Sequence, residues 1–106
     1  MGRKEPKSII DGDRAGECFM CKQCGDIQLH HIYKGKNRQV SDKHGFVVHL
    51  CSDCHSFLHG KEGHLMDLYL QKTCQLAYEA RYKNKNLARK RFMELIGRNY
   101  IEEDED

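Results

Sequence analysis

Two short apolar runs in the first half of the chain have the composition of β-strands. Residues 27–33 and 46–50 are rich in β-branched, aromatic and leucine side chains. The stretch 34–45 between them is polar, contains two glycines and shows no apolar periodicity, so we expect a loop there. After the second run, Ser52 or Asp53 offers the side chain of a helix N-cap, which predicts a helix beginning at that point.

The second half of the chain changes to helical spacing. Apolar residues recur three or four positions apart from Leu65 onwards and predict a helix to about Tyr82, with this stripe facing the core. The polar run 83–86 interrupts the pattern, and a second helix follows that ends at Gly97. Cys74 is expected to be a small buried hydrophobic residue. The apolar residues assigned to the core are Leu65, Leu68, Tyr69, Leu76, Ala80, Leu87, Phe92, Leu95 and Ile96.

A chain of 106 residues forms one domain near the lower limit of what an apolar core alone can stabilise. Six cysteines offer additional stabilisation, as disulfides or as metal ligands. No apolar run near the N-terminus is long enough for a signal peptide, and none could span a bilayer. We therefore expect a cytoplasmic protein without a membrane partner, in a compartment where paired cysteines are more often metal ligands than disulfides.

Charge is distributed unevenly along the chain. Residues 102–106 are all acidic, and the other 101 residues carry 18 basic and 11 acidic side chains, a formal charge of +7. A basic body suits a polyanionic partner, and an acidic tail could compete for the same surface or simply aid solubility. Residues 1–16 are polar and contain glycine and proline, so we expect a flexible basic arm there and a disordered acidic tail at 102–106.

Four cysteines form two Cys-x-x-Cys pairs, Cys18 with Cys21 and Cys51 with Cys54. Two such pairs are typical of a closed tetrahedral zinc site, and one ion joining segments distant in sequence contributes folding free energy. Cys21 and Cys24 form an alternative first pair. We prefer Cys18 with Cys21 because this choice leaves more residues for a turn before the first strand.

Four histidines lie beside these cysteines. His55 and His59 are four residues apart on the predicted helix, so their imidazoles can converge on one ion. His30 and His31 are adjacent on the predicted strand and point to opposite faces, so one can bind metal while the other has a different task. Three histidines can form an open metal site. A closed cysteine site beside an open histidine site indicates a metal-dependent nuclease.

These motifs resemble the HNH endonuclease superfamily, the ββα-metal nucleases. The matching residues are Cys18-x-x-Cys21, Leu29-His30-His31-Ile32 and Leu50-Cys51-x-x-Cys54-His55-x-x-x-His59. A looser resemblance over most of the chain is to short phage and prophage HNH proteins, similar to the RecA-dependent recombination-enhancing nuclease group. It includes Arg14, Phe19, Gly35, Asn37, Arg38, Ser41, Gly45, Phe92, Gly97, Arg98, Asn99 and Tyr100. The phage resemblance implies that the expected cytoplasm is that of a bacterial host cell.

The resemblance implies an α+β fold, with a small zinc-stabilised ββα-metal domain over residues 17–64 and a helical extension over 65–101. It implies that His30, His55 and His59 hold a second divalent metal. His31 is then the general base for hydrolysis of a DNA phosphodiester. An all-imidazole site favours Zn, Ni, Co or Mn over Mg, which prefers oxygen ligands.

The resemblance fails at Phe46, where the family has an Asn that ties down the connecting loop and so positions the base. Asn37 could replace it, or could be an ordinary turn residue. Lys34, Lys36 and Arg38 could contact DNA phosphates or belong to a solvated loop. One alternative is a catalytically inactive, zinc-stabilised DNA-binding module in a phage recombination or packaging complex. Another is a zinc-bridged adaptor that docks through its C-terminal helices.

Overall fold

The computed structural model describes residues 6–101, so the predicted acidic tail and the first five residues of the predicted arm lie outside the described residues. The described part is a small α+β fold, as predicted at that level. Its two strands pair in one antiparallel sheet. The elements are β1 (Ile27–His31), a 3-10 turn (Gly35–Asn37), α1 (Arg38–His44), β2 (Val47–Cys51), α2 (Ser52–His59), α3 (His64–Glu79) and α4 (Lys85–Ile96).

The register of the sheet places the two adjacent histidines on different faces. His30 lies opposite Val48, and His31 lies opposite Val47. Because successive side chains of a strand alternate between faces, His30 and His31 contact different neighbours. The face of His30 meets α2, and the face of His31 meets α1.

The segment between the strands is helical, so the predicted loop at 34–45 is wrong. Its last eleven residues form the 3-10 turn, then α1, which Gly45 ends in the left-handed conformation at φ 78°. Ser41 is the one residue of α1 that is buried. Its hydroxyl donates to the Tyr33 carbonyl at 2.9 Å and accepts from the Tyr33 N–H at 3.2 Å. Buried hydrogen bonds therefore hold this helix, and apolar periodicity cannot detect them.

The two predicted C-terminal helices are confirmed as α3 and α4, but the predicted buried face of α3 is wrong. Leu65, Tyr69 and Leu76 are 75%, 51% and 56% exposed. The residues that α3 buries are Leu70, Cys74, Gln75 and Tyr78. Because α3 packs against α4 and α2, these tertiary contacts bury a face of the helix other than the one that the sequence spacing indicated. Cys74 is fully buried, as predicted, and burial raises its pKa to about 12.

Phe46 lies at the centre of an aromatic cluster that joins the sheet to the helical extension. Its ring centroid is 5.6 Å from Tyr33, 5.7 Å from Tyr78 and 6.1 Å from Phe92. The Tyr33 and Tyr78 contacts are edge-to-face, a geometry that contributes about 0.5–1.5 kcal/mol per pair beyond burial. Phe46, which directly precedes β2, is therefore an apolar contact between the end of the sheet and the C-terminal helices.

Ile9, Ile10 and Asp13 in the segment 6–16 contact the folded core, whereas the sequence predicted a flexible arm there. Ile10 is buried in the core, and the Ile9 N–H donates to the Gly45 carbonyl at 3.0 Å. The Asp13 carboxylate accepts from the His49 backbone N–H and lies 2.7 Å from His49 Nδ1. His49 is therefore a buried structural residue that holds the N-terminal segment to β2.

Candidate metal centres

The four cysteines of the two pairs come together in space. Their sulfur atoms all lie within 4.8 Å of one another, and Cys21 Sγ is 3.7 Å from Cys51 Sγ. Zinc with Zn–S bonds of about 2.3 Å places tetrahedral sulfurs about 3.8 Å apart. The cluster of Cys18, Cys21, Cys51 and Cys54 therefore fits a structural zinc site. Cys24 is exposed and lies outside the cluster.

Each Cys-x-x-Cys pair forms a turn that directs a backbone N–H towards a sulfur. Cys21 N is 3.5 Å from Cys18 Sγ, and Cys54 N is 3.4 Å from Cys51 Sγ. Cys51 is the last residue of β2 and also the N-cap of α2. The predicted cap at Ser52 or Asp53 is therefore wrong by one or two residues, because a cysteine sulfur accepts the hydrogen bond that a hydroxyl or carboxylate was expected to accept.

The four neighbouring thiols of the cysteine cluster can all ionise only if a cation lies among them. Burial opposes ionisation of Cys18, but hydrogen bonds from the backbone of Cys21, Cys51 and Met20 lower the pKa of its thiol to about 6. Burial and the neighbouring cysteines raise the pKa of Cys54. Four sulfurs this close cannot all become thiolates without a compensating positive charge. Zinc supplies that charge, and thiolates are the form that binds it.

Three histidines form a second cluster. His30 comes from β1, and His55 and His59 come from successive turns of α2. One ring nitrogen of each lies within 4.8 Å of the others. His30 is 3% exposed, and its Nε2 is buried without a hydrogen-bond partner among the described residues. A buried nitrogen in this state is costly unless it binds something, so the cluster fits a metal such as zinc.

Two of the three histidines are held in the form that binds metal. Burial, together with unfavourable interactions of a charged ring with His55 and Lys34, lowers the pKa of His30 to about 3. Burial also lowers the pKa of His55. Both rings are therefore neutral at cellular pH, and neutral imidazole is the ligand form.

Gln28 orients His55, and the sequence alone did not identify it. Its Oε1 lies 2.5 Å from His55 Nδ1. Because an amide oxygen only accepts, Nδ1 carries the proton and Nε2 presents its lone pair towards the cluster. Gln28 stands two residues before His30 on the same face of β1, so strand periodicity could have revealed it.

An open cavity of about 370 Å³ lies beside the histidine cluster. His31 lines it although it faces the other side of the sheet, and His31 Nε2 is 3.1 Å from Asp42 Oδ1. Asp42 was missed because it belongs to α1, which the sequence did not predict. The cavity is lined by Leu29, His30, His31, Lys34, Gly35, Arg38, His55 and His59.

The four residues predicted to support the site or bind DNA lie in different places. Lys34 and Arg38 line the cavity, and Lys34 Nζ is 3.7 Å from Asp67 Oδ2. Lys36 is exposed and is not part of the cavity lining. Asn37 donates from Nδ2 to the Ile96 carbonyl at 2.9 Å and so ties the 3-10 turn to the end of α4.

Comparison with known protein families, curated proteins and solved structures finds no match to this chain. Its function is therefore inferred from the two ligand clusters and the cavity beside them. Within residues 6–101, no helix is long and apolar enough to cross a lipid bilayer.

Proposed function

We propose that the protein is a metal-dependent, HNH-type endonuclease that hydrolyses phosphodiester bonds in DNA. In this proposal β1, β2 and α2 form a ββα-metal unit, and α3 and α4 are its helical extension. The proposal is carried by Nε2 of His30, which has no hydrogen-bond partner among the described residues and lies with the imidazoles of His55 and His59 beside a cavity that a fourth histidine also lines. Phage or prophage origin follows from the sequence resemblance alone.

Each residue at the cavity has a chemical role in the proposed reaction. His30, His55 and His59 would hold a divalent ion, and such an ion would supply stabilisation of negative charge on the scissile phosphate and the leaving oxygen. Zn, Mn, Ni, Co or Mg could serve, with imidazole favouring the transition metals. His31 accepts a proton from the attacking water. Lys34 and Arg38 contact the phosphate backbone from the cavity wall.

Although Phe46 stands where the family has an Asn, other contacts support the segment between the strands. Ser41 joins α1 to Tyr33 through two hydrogen bonds, and Asn37 joins the 3-10 turn to α4. Phe46 itself packs this segment against the helical extension. These contacts together support a fixed position for His31 without the family Asn.

The same substitution also favours a second candidate, a catalytically inactive, zinc-stabilised DNA-binding module in a phage recombination or packaging complex. A nicking assay separates the two functions. Supercoiled plasmid is incubated with the zinc-loaded full chain and each of the five divalent metals in turn. The nuclease produces nicked or linear DNA in a metal-dependent way. DNA binding without cleavage under every metal supports the binding module.

Binding of the second metal ion should require the histidines of the cluster, and loss of a histidine elsewhere should not affect it. His59→Ala and His30→Ala are each expected to abolish binding of the second ion while leaving one zinc per chain, because each removes one of three ligands. Isothermal titration with Ni²⁺ or Mn²⁺, with elemental analysis, measures the stoichiometry. His64→Ala is the matched control, since His64 is exposed and belongs to neither cluster. Unchanged second-ion binding in His30→Ala argues against the assigned ligand set.

Removal of residues 102–106 should strengthen DNA binding several-fold at low salt, because it changes the formal charge from +2 to +7. Binding of the natural chain should weaken steeply as salt is added, since phosphate contacts release counterions. Fluorescence anisotropy with a labelled duplex measures both effects. A chain in which glycine and serine replace the five acids controls for length. Equal affinity of all three chains would mean that the tail serves solubility alone.

A further inference from the structure

A carboxylate lies beside the proposed base. Asp42 Oδ1 is 3.1 Å from His31 Nε2, and the two side chains are 25% and 16% exposed. We propose that Asp42 is a positioning residue that holds the His31 ring with its proton on Nε2, so that Nδ1 carries the lone pair. This inference rests on the proposed nuclease function, in which His31 is the base.

The fold joins the two segments that carry this pair. Ser41 precedes Asp42 and makes two buried hydrogen bonds to Tyr33, which follows His31 by two residues. The Phe46 N–H donates to the Ser41 carbonyl at 2.9 Å, and the Ile32 N–H donates to the Phe46 carbonyl at 2.9 Å. Backbone and side-chain bonds on both sides of the pair therefore fix the separation of Asp42 from His31.

The chemistry of the pair assigns the tautomer. A neutral imidazole has one N–H, and an ionised carboxylate can only accept a hydrogen bond. With Asp42 at Nε2, the proton lies on Nε2 and the basic lone pair lies on Nδ1. A base with one fixed tautomer and one ring orientation does not need to reorganise before it takes a proton from water. His31 lines the cavity, so the ring is placed for that role.

The tautomer can be measured without any cleavage. Nitrogen-15 NMR of the zinc-loaded full chain, with labelled histidine, should show His31 as a single Nε2–H tautomer. Asp42→Ala should give a mixture of tautomers, and Asp42→Asn should also lose the single Nε2–H form, because its amide can donate to Nε2 as well as accept from it. Gln39→Ala is the matched control, since Gln39 is an exposed residue of the same helix. It should leave the His31 signals unchanged.

Cleavage kinetics test whether Asp42 acts through His31. Asp42→Ala should lower kcat about 10- to 100-fold, the usual effect of losing a residue that orients a functional histidine, with little change in KM for DNA. Asp42→Asn should not recover this loss, because its amide N–H can donate to Nε2 and so favours the tautomer with the proton on Nδ1. In a His31→Ala background, Asp42→Ala should have no further effect, since residues that act as one unit are not additive.

Two results would overturn the positioning role. One is an unchanged His31 tautomer in Asp42→Ala, and the other is an equal loss of kcat from Asp42→Ala with and without His31. Failure of the nuclease proposal is separate, because it appears as absence of cleavage by the natural chain under every metal. The tautomer measurement then decides by itself whether Asp42 fixes the ring.

Discussion

His31→Ala should lose about 10²–10⁴-fold in plasmid cleavage while keeping its fold, both metals and its affinity for DNA. The magnitude is that of a positioned acid–base group. Metal binding should survive because His31 is not one of the three clustered imidazoles. The fold should survive because the substitution leaves the Ser41–Tyr33 bonds intact, and because Asp42 is 25% exposed and can be hydrated when its partner is lost.

The comparison with His64→Ala makes this result specific. Both variants remove one imidazole, but His64 is exposed at the start of α3 and outside the cavity lining. Initial rates of nicking under saturating metal, with circular dichroism and anisotropy on the same samples, provide the three readouts. Cleavage by His31→Ala at the natural rate, together with a second metal still bound by His30→Ala, would overturn the roles assigned to both histidines.

The ligand clusters could be predicted from the sequence because metal ligation is a matter of local spacing. Two Cys-x-x-Cys pairs need only a turn each, and His55 and His59 share a helix face by their separation alone. The structure brings both sets together. The preference for Cys18 over Cys24 as a ligand also agrees with the structure. Cys18 lies in one cluster with Cys21, Cys51 and Cys54, whereas Cys24 is exposed and lies outside it.

The missed features depend on tertiary contacts that no local pattern reports. α1 is held by the hydroxyl of Ser41 and has no apolar stripe, so Asp42 was not placed near His31. α3 buries a face that its sequence spacing did not indicate, because α4 and α2 pack against it. Residues 6–16 look like a polar arm, yet Ile10 and the Asp13–His49 pair hold them to the sheet.

Phe46 shows how the core and the site are connected. Its phenyl ring is fully buried among aromatic side chains from α3 and α4. The helical extension therefore packs against the segment between β1 and β2, which contains Asp42 and places it beside His31. The C-terminal helices are thus part of the support for the cavity, within the one domain that the length of the chain predicts.

Cys51→Ser should unfold the domain, the largest stability effect expected from any single substitution in it. Structural zinc contributes about 10–16 kcal/mol of apparent binding free energy in zinc-finger peptides, and a typical domain is stable by only about 5–15 kcal/mol. Cys51 also pairs with Ile27 at the end of the sheet and caps α2 with its sulfur. A serine oxygen is a poor zinc ligand, so the substitution removes the ion that joins both cysteine pairs.

Cys24→Ser is the matched control, because it makes the same atomic change at an exposed cysteine outside the cluster. We expect Cys24→Ser to retain one tightly held zinc after mild chelation and the thermal midpoint of the natural chain. Cys51→Ser should lose the zinc and show no cooperative thermal transition. Elemental analysis and thermal denaturation followed by circular dichroism measure the two quantities. A Cys51→Ser chain that is zinc-free and still unfolds cooperatively at the natural temperature would show that packing around Phe46 and the α3–α4 pair stabilises the fold without the metal.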